Sequence, residues 1–204
     1  MRNEITQENL ILVTQDHLEQ LGYIIGSVSR LWAHSLETFL QLPIRIEWDH
    51  IRPVKWGRAL KECNHTDIFT TLQLMPLPSI TTLSIDRTLA YVFIDRMLGG
   101  PGEVFQEQCD RRPTDIEHTA LAYPIRKSGE FISRALQDLF TTKPLMSENA
   151  DMHTIESLLP FEEATLGMRF TVTTPTQEGT IHWIVPLETF RPFWHKLDPA
   201  YSGM

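Results

Sequence analysis

Residues 85–102 read IDRTLAYVFIDRMLGGPG, and the fold turns on this run. Between Thr88 and Leu98 apolar residues occupy several sides of a helical projection, which predicts a buried helix. Gly99-Gly100-Pro101-Gly102 stops it, because glycine adopts the left-handed conformation of a helix end cheaply and proline cannot continue a helix. Immediately upstream, residues 69–75 and 79–85 are β-rich runs separated by Pro76-Leu77-Pro78, which suits a turn between strands and not a strand interior. The unit is strand, turn, strand, buried helix.

Farther upstream, Leu18, Leu21, Ile25, Val28, Trp32, Leu36 and Phe39 recur every three or four residues, which predicts one long helix over 17–42, ended by Pro43. Ile44, Ile46 and Trp48 alternate with Arg45, Glu47 and Asp49 as in a half-buried strand, and a polar connection follows through Lys61, Glu62, Asn64, His65 and Asp67. Downstream the same order returns. Thr114 and Glu117 have the spacing of a capping box. An apolar stripe of Ile116, Ala120, Leu121, Ile125, Ile132, Leu136 and Leu139 then runs to about Phe140, with Pro124 expected to kink or break the helix. Residues 167–174 and 179–185 form a second strand pair around Pro175-Thr176-Gln177-Glu178, and Pro186 precedes a helix over 187–197. Residues 69–98 and 168–197 thus share one layout, which an internal duplication explains more simply than chance. The expected organisation is an α/β domain over 17–198, with halves of about 17–102 and 113–198, flanked by tails at 1–16 and 199–204. Each half is a long helix followed by strands and a shorter helix.

The chain has 204 residues, 42% hydrophobic and 22% charged, which is ordinary for a globular domain and too apolar for disorder. The formal charge is −8, with 9 basic and 11 acidic residues in 1–102 and 9 and 15 in 103–204. Nucleic acid and anionic lipid need a basic surface, so neither is an expected partner. No apolar stretch approaches the ~20 residues of a membrane helix, and none near the start suits a signal peptide. Cys63 and Cys109 lie 46 residues apart without a CxxC spacing, and a reducing, cytoplasmic setting is expected.

Catalytic signatures are scarce. There is no Walker A loop, GxSxG elbow or HExxH, and the glycine-rich turn follows a helix, whereas a dinucleotide fingerprint follows a strand. Cys63, His65, His153 and Glu156 make incomplete metal sets and read as polar loop residues. Glu162, Glu163 and Asp138 read as a solvated face rather than an acid/base pair. Most of the five tryptophans, Trp32, Trp48, Trp56, Trp183 and Trp194, fall in periodic elements as core or boundary residues. One glycine suffices to cap a helix, and three in four residues leave bare backbone that another protein can approach closely. Helix cap and partner contact are both open readings of Gly99, Gly100, Pro101 and Gly102.

Residues 85–102, the Thr114-to-Glu117 helix start, Pro76-Leu77-Pro78, Trp56 and the strand–Pro–helix unit at 184–197 together resemble the middle domain of the FliM family of flagellar motor switch proteins. The resemblance spans roughly residues 20–198, and a GGxG turn directly after the helix carrying Asp95 is its specific part. It implies a pseudo-twofold α/β/α sandwich, shared with CheC-type chemotaxis phosphatases. It further implies a non-enzymatic subunit of the motor's C-ring, without cofactor or metal. Such a subunit is cytoplasmic and peripheral to the inner membrane at the flagellar basal body, and it controls rotation direction in chemotaxis. By the same resemblance Gly99, Gly100, Pro101 and Gly102 become residues that bind FliG, and neighbouring FliM copies become lateral partners. The family's acidic, apolar starting peptide, which captures phosphorylated CheY, has no convincing copy in residues 1–15, and its FliN-joining domain would lie beyond Met204. CheY and FliN are thus expected as partners only where further terminal regions exist.

A CheC-like phosphatase of phosphorylated CheY is the chief alternative. Its chemistry needs Glu-x-x-Asn on a helix, whereas here Glu19, Glu37, Glu117 and Glu130 are followed by Gly22, Leu40, Ala120 and Ser133. A type III secretion ring scaffold of the same fold is the other.

Overall fold

Thr14 starts the first helix through a reciprocal cap: its hydroxyl accepts from the His17 amide, and the His17 ring Nδ1 accepts from the Thr14 amide. The cap places the start of α1 (Gln15–Leu40) two residues before the apolar stripe suggests. Leu21, Ile25, Trp32, Leu36 and Leu40 form its buried face. The computed structural model describes residues 13–77, 79–104, 109, 111–137, 139, 141–150 and 152–197. After α1 come β1 (Arg45–Lys55), α2 (Trp56–Leu60), β2 (Ile68–Met75), β3 (Ile80–Ile85) and α3 (Arg87–Met97). The later residues form α4 (Asp115–Ala135), β4 (Lys143–Ala150), α5 (Met152–Glu156), β5 (Ala164–Thr173) and β6 (Glu178–Pro186). Two short 3₁₀ turns, Leu187–Thr189 and Arg191–Lys196, close the described chain.

The six strands form one sheet in the order β1-β5-β6-β3-β2-β4, antiparallel throughout. Exchanging β1 with β4, β2 with β5 and β3 with β6 returns the same order reversed. The arrangement therefore has a topological two-fold between the central strands β3 and β6. This is the symmetry that a duplicated chain would carry.

The two faces of the sheet are covered unequally. Ile181, Trp183 and Val185 of β6 point with Leu166, Met168, Phe170 and Val172 of β5 into a large core under α1, α3 and α4. The alternate residue Ile184 joins Val54, Trp56, Ala59, Leu60, Cys63, Phe69 and Ile155 in a smaller cluster under α2 and α5. Layering is thus α/β/α, with one thick and one thin helical layer.

Five elements differ from the sequence expectation. Residues 187–197 form 3₁₀ turns rather than one helix, because Pro192 has no amide to donate and its ring would clash with the carbonyl four residues earlier. Pro124 does not break α4: the helix runs on to Ala135, with Leu121 and Ile125 buried on either side, and ends before Phe140, which lies outside the described residues. The strand β4 and the five-residue helices α2 and α5 were not anticipated. Lys143-Pro144 gives no alternation, and five residues are too few to show a helical period.

His182 of β6 lies on the thinly covered face and is 6% exposed. Burial, helped by Arg169 opposite it, pushes its imidazole down from 6.5 to about 4. The folded state therefore keeps the ring neutral while the unfolded chain protonates it. Stability is full above pH 6.5 and falls by up to about 3 kcal/mol as pH drops toward 4. Buried Asp67, whose carboxyl burial raises, works in the opposite direction. Urea midpoints measured between pH 7.5 and 4 should fall less steeply in His182→Gln than in the parent, and parallel profiles would contradict this assignment.

Candidate functional site

The end of α3 closes in a Schellman pattern. The Gly99 amide donates to the Arg96 carbonyl at 3.1 Å and the Gly100 amide to the Asp95 carbonyl at 2.8 Å, so two terminal carbonyls of the helix find partners. Gly99 has φ 89 and Gly102 has φ 84, a region that costs other residues about 1–2 kcal/mol. Asp95 then reaches across the turn, its Oδ2 accepting from the Gly102 amide at 2.7 Å. A β-carbon on Gly100 would stand 2.2 Å from Asp95 Oδ1. Each of the three glycines therefore has a local structural reason.

Arg96 ties the turn to α1. Its Nη1 donates to the Gly100 carbonyl at 2.7 Å, while Nε and Nη2 donate to the carbonyls of Leu40 and Gln41 at 2.8 and 2.9 Å. These last two are carbonyls at the end of α1, so the guanidinium also meets the negative end of that helix. From the opposite side the Thr176 hydroxyl, in the β5–β6 turn, donates to the Gly102 carbonyl at 2.7 Å. The turn is thereby held by its own helix, by α1 and by the hairpin of the second half.

The four residues singled out in the sequence come together but do not share one exposure. Gly99 and Pro101 face outward, and a β-carbon on Gly99 would meet nothing within 4 Å. Gly100 is half-buried, and Gly102 is buried, with Arg96 and Leu42 against it. Leu98, which the sequence reading left within the helix, is 59% exposed and stands beside Gly99. The outward edge is Leu98, Gly99 and Pro101, and Asp95, Arg96 and Thr176 hold it. An aspartate five residues before the second glycine was a readable hint. The acceptors of Arg96, some 55 residues away, were not.

The other candidates of the sequence stay apart. Cys63 is buried, its thiol pushed up to about 12 by burial, and its Sγ donates weakly to the Ala59 carbonyl. His65, His153 and Glu156 are exposed, and no group of three or more His, Cys, Asp or Glu among the described residues could hold a metal ion. Glu162 pairs with Lys55, Glu163 is half-buried with its carboxyl raised by burial, and Asp138 lies outside the described residues. Trp32, Trp56 and Trp183 are core residues. Among the described residues no helix is long and apolar enough to cross a membrane.

Residues 14–201 match the family model described as flagellar motor switch protein FliM. The flagellar motor switch protein FliM of Caulobacter vibrioides is 22% identical over 202 residues, covering 96% of this chain and 52% of that protein. The chain therefore spans about half the length of the relatives it matches. Among solved structures, the FliM middle domain from H. pylori aligns with a TM-score of 0.80 at 15% identity, covering 90% of this chain and 99% of that one. A chain of the FliG–FliM complex from H. pylori aligns with a TM-score of 0.84 at 16% identity, covering 90% of this chain and 100% of that one.

Proposed function

The chain belongs to the FliM family, and from that premise we propose that it is a structural and signalling subunit of a bacterial flagellar motor switch that binds FliG through the outer edge of its GGPG turn. One observation carries the assignment: a turn anchored on three sides presents Leu98, Gly99 and Pro101 outward. Such an edge loses little conformational entropy on binding, since its backbone is fixed beforehand. The solved FliG–FliM complex of H. pylori, whose chain shares this fold, supports the choice of partner. In this reading Gly99 and Pro101 touch FliG, whereas Gly100 and Gly102 shape the turn. Neighbouring copies of the chain pack beside it in a ring at the cytoplasmic side of the inner membrane. A shift in how the edge meets FliG changes the direction of rotation in chemotaxis, and no catalytic step is required.

The test is a calorimetric titration of the chain with purified FliG, beside Leu98→Lys. Leu98 is exposed, so its replacement should leave the urea midpoint within about 0.5 kcal/mol of the parent. Binding should weaken at least about tenfold, as expected when a charge replaces an apolar contact at the middle of an interface. Unchanged binding in Leu98→Lys, or no binding by the parent, overturns the reading. Gly100→Asp is a poorer probe, because its side chain would meet the Asp95 carboxylate and disturb the turn itself.

A further inference from the structure

The thinly covered face of the sheet carries a polar cleft of about 280 Å³. Its floor is Arg169 and Thr171 of β5 with Thr180 and His182 of β6, and the register places Arg169 beside His182 and Thr171 beside Thr180. Walls come from three distant segments: Glu62 and Asn64 after α2, Asp86 at the head of α3, and Glu178 and Gly179 at the start of β6. Nothing in the turn at 99–102 takes part.

The charges in the cleft are unequal. Three carboxylates, Glu62, Asp86 and Glu178, face one guanidinium, Arg169. Arg169 is already engaged, with its Nε 3.2 Å from Asp49 Oδ2, and Thr171 donates its hydroxyl to the same carboxylate. Glu62 pairs with Arg52. Asp86 caps α3 by accepting from the Leu89 amide at 3.1 Å. Asp67, whose Oδ2 accepts from the Asn64 amide and the Ser84 hydroxyl, is buried, and its Oδ1 has no hydrogen-bond partner among the described residues.

His182 closes the floor of the cleft. It is a polar side chain more than nine-tenths buried, it lines the cleft, and neither ring nitrogen makes a hydrogen bond among the described residues. A neutral imidazole offers one acceptor nitrogen and one donor. Beside Asp86 and Glu178, that acceptor suits a ligand that brings several N–H donors and a positive charge. An inorganic anion would face carboxylate repulsion, and no three metal ligands converge among the described residues.

We propose that this cleft binds an organic cation, a guanidinium or protonated alkylamine, with Asp86 and Glu178 as counter-charges and His182 as a hydrogen-bond acceptor. The site is separate from the FliG-facing edge and stands whether or not that reading does. The cation is either a free small molecule or a basic side chain of another protein, and the recognising chemistry is the same.

The experiment follows the His182 ring resonances of the full chain by NMR during titration with agmatine, with an end-blocked Gly-Arg-Gly peptide, and with inorganic phosphate as a control. Agmatine or the peptide should shift these resonances saturably. Agmatine alone doing so identifies a free small cation, and tighter peptide binding identifies a protein side chain. Glu178→Gln should weaken binding about threefold, the effect expected for an exposed charge pair. Adding Asp86→Asn, which keeps the helix cap, should bring the loss to about tenfold. No shift with either cation up to about 10 mM, a shift equal to that from phosphate, or indifference to Glu178→Gln overturns the proposal.

Discussion

Arg96→Ala should lower the unfolding free energy by about 3 kcal/mol, read as a fall in the urea midpoint at constant slope. The guanidinium serves three carbonyl acceptors at once, two at the end of α1 and one inside the GGPG turn. Hydrogen bonds from a charged donor are worth about 1.5–3 kcal/mol each. The whole effect is smaller than their sum because Arg96 is half-buried and water can replace part of what is lost. Arg96→Lys keeps the charge but not the planar fork, and should recover less than about half of the loss. Arg96→Ala should also weaken FliG binding, since the turn loses its tie to α1 while its outer edge is chemically untouched. A stable Arg96→Ala chain would mean that the turn is held by Asp95 and Thr176 alone.

Trp183→Ala should cost about 4 kcal/mol, the range for an aromatic deleted from a packed core. Trp183 is fully buried in β6, paired with Met168 of β5 on one side and Leu83 of β3 on the other. Its indole donates to the Thr81 hydroxyl at 3.0 Å, and that hydroxyl donates to the Leu72 carbonyl at 2.9 Å. One side chain thereby joins β6, β3 and β2 where the two halves of the sheet meet. Calorimetry should show the melting temperature lowered by about 10 °C. Trp183→Phe keeps most of the packing and loses one hydrogen bond, so it should cost about 2 kcal/mol. Equal losses in the two variants would place the stabilisation in the hydrogen bond rather than in packing.

The elements that sequence reading found are those with long or sharply ended patterns. The apolar run before Gly99 defined α3, alternation at residues 44–49 marked β1, the turn at 175–178 divided β5 from β6, and threonine with glutamate three residues later fixed the start of α4. β4 escaped because it is an edge strand, paired only to β2, and opens on Lys143-Pro144. The last helix was over-read: the chain there runs as two short 3₁₀ turns, and Pro192 stands in the first turn of the second. The glycine-rich turn was visible, but the division of labour within it was not. Gly100 owes its identity to the side chain of Asp95, and the exposure of Leu98 depends on where α3 ends against α1. The cleft around His182 left no local signature, since its walls are brought together from residues 62–64, 86 and 169–182 by strand pairing.

Hydrogen–deuterium exchange of the chain with and without saturating FliG tests the central claim most directly. The account predicts slowed exchange confined to the segment around residues 98–104, with the cleft at His182 unchanged. Binding that leaves this segment's exchange unaltered and slows another surface would contradict it.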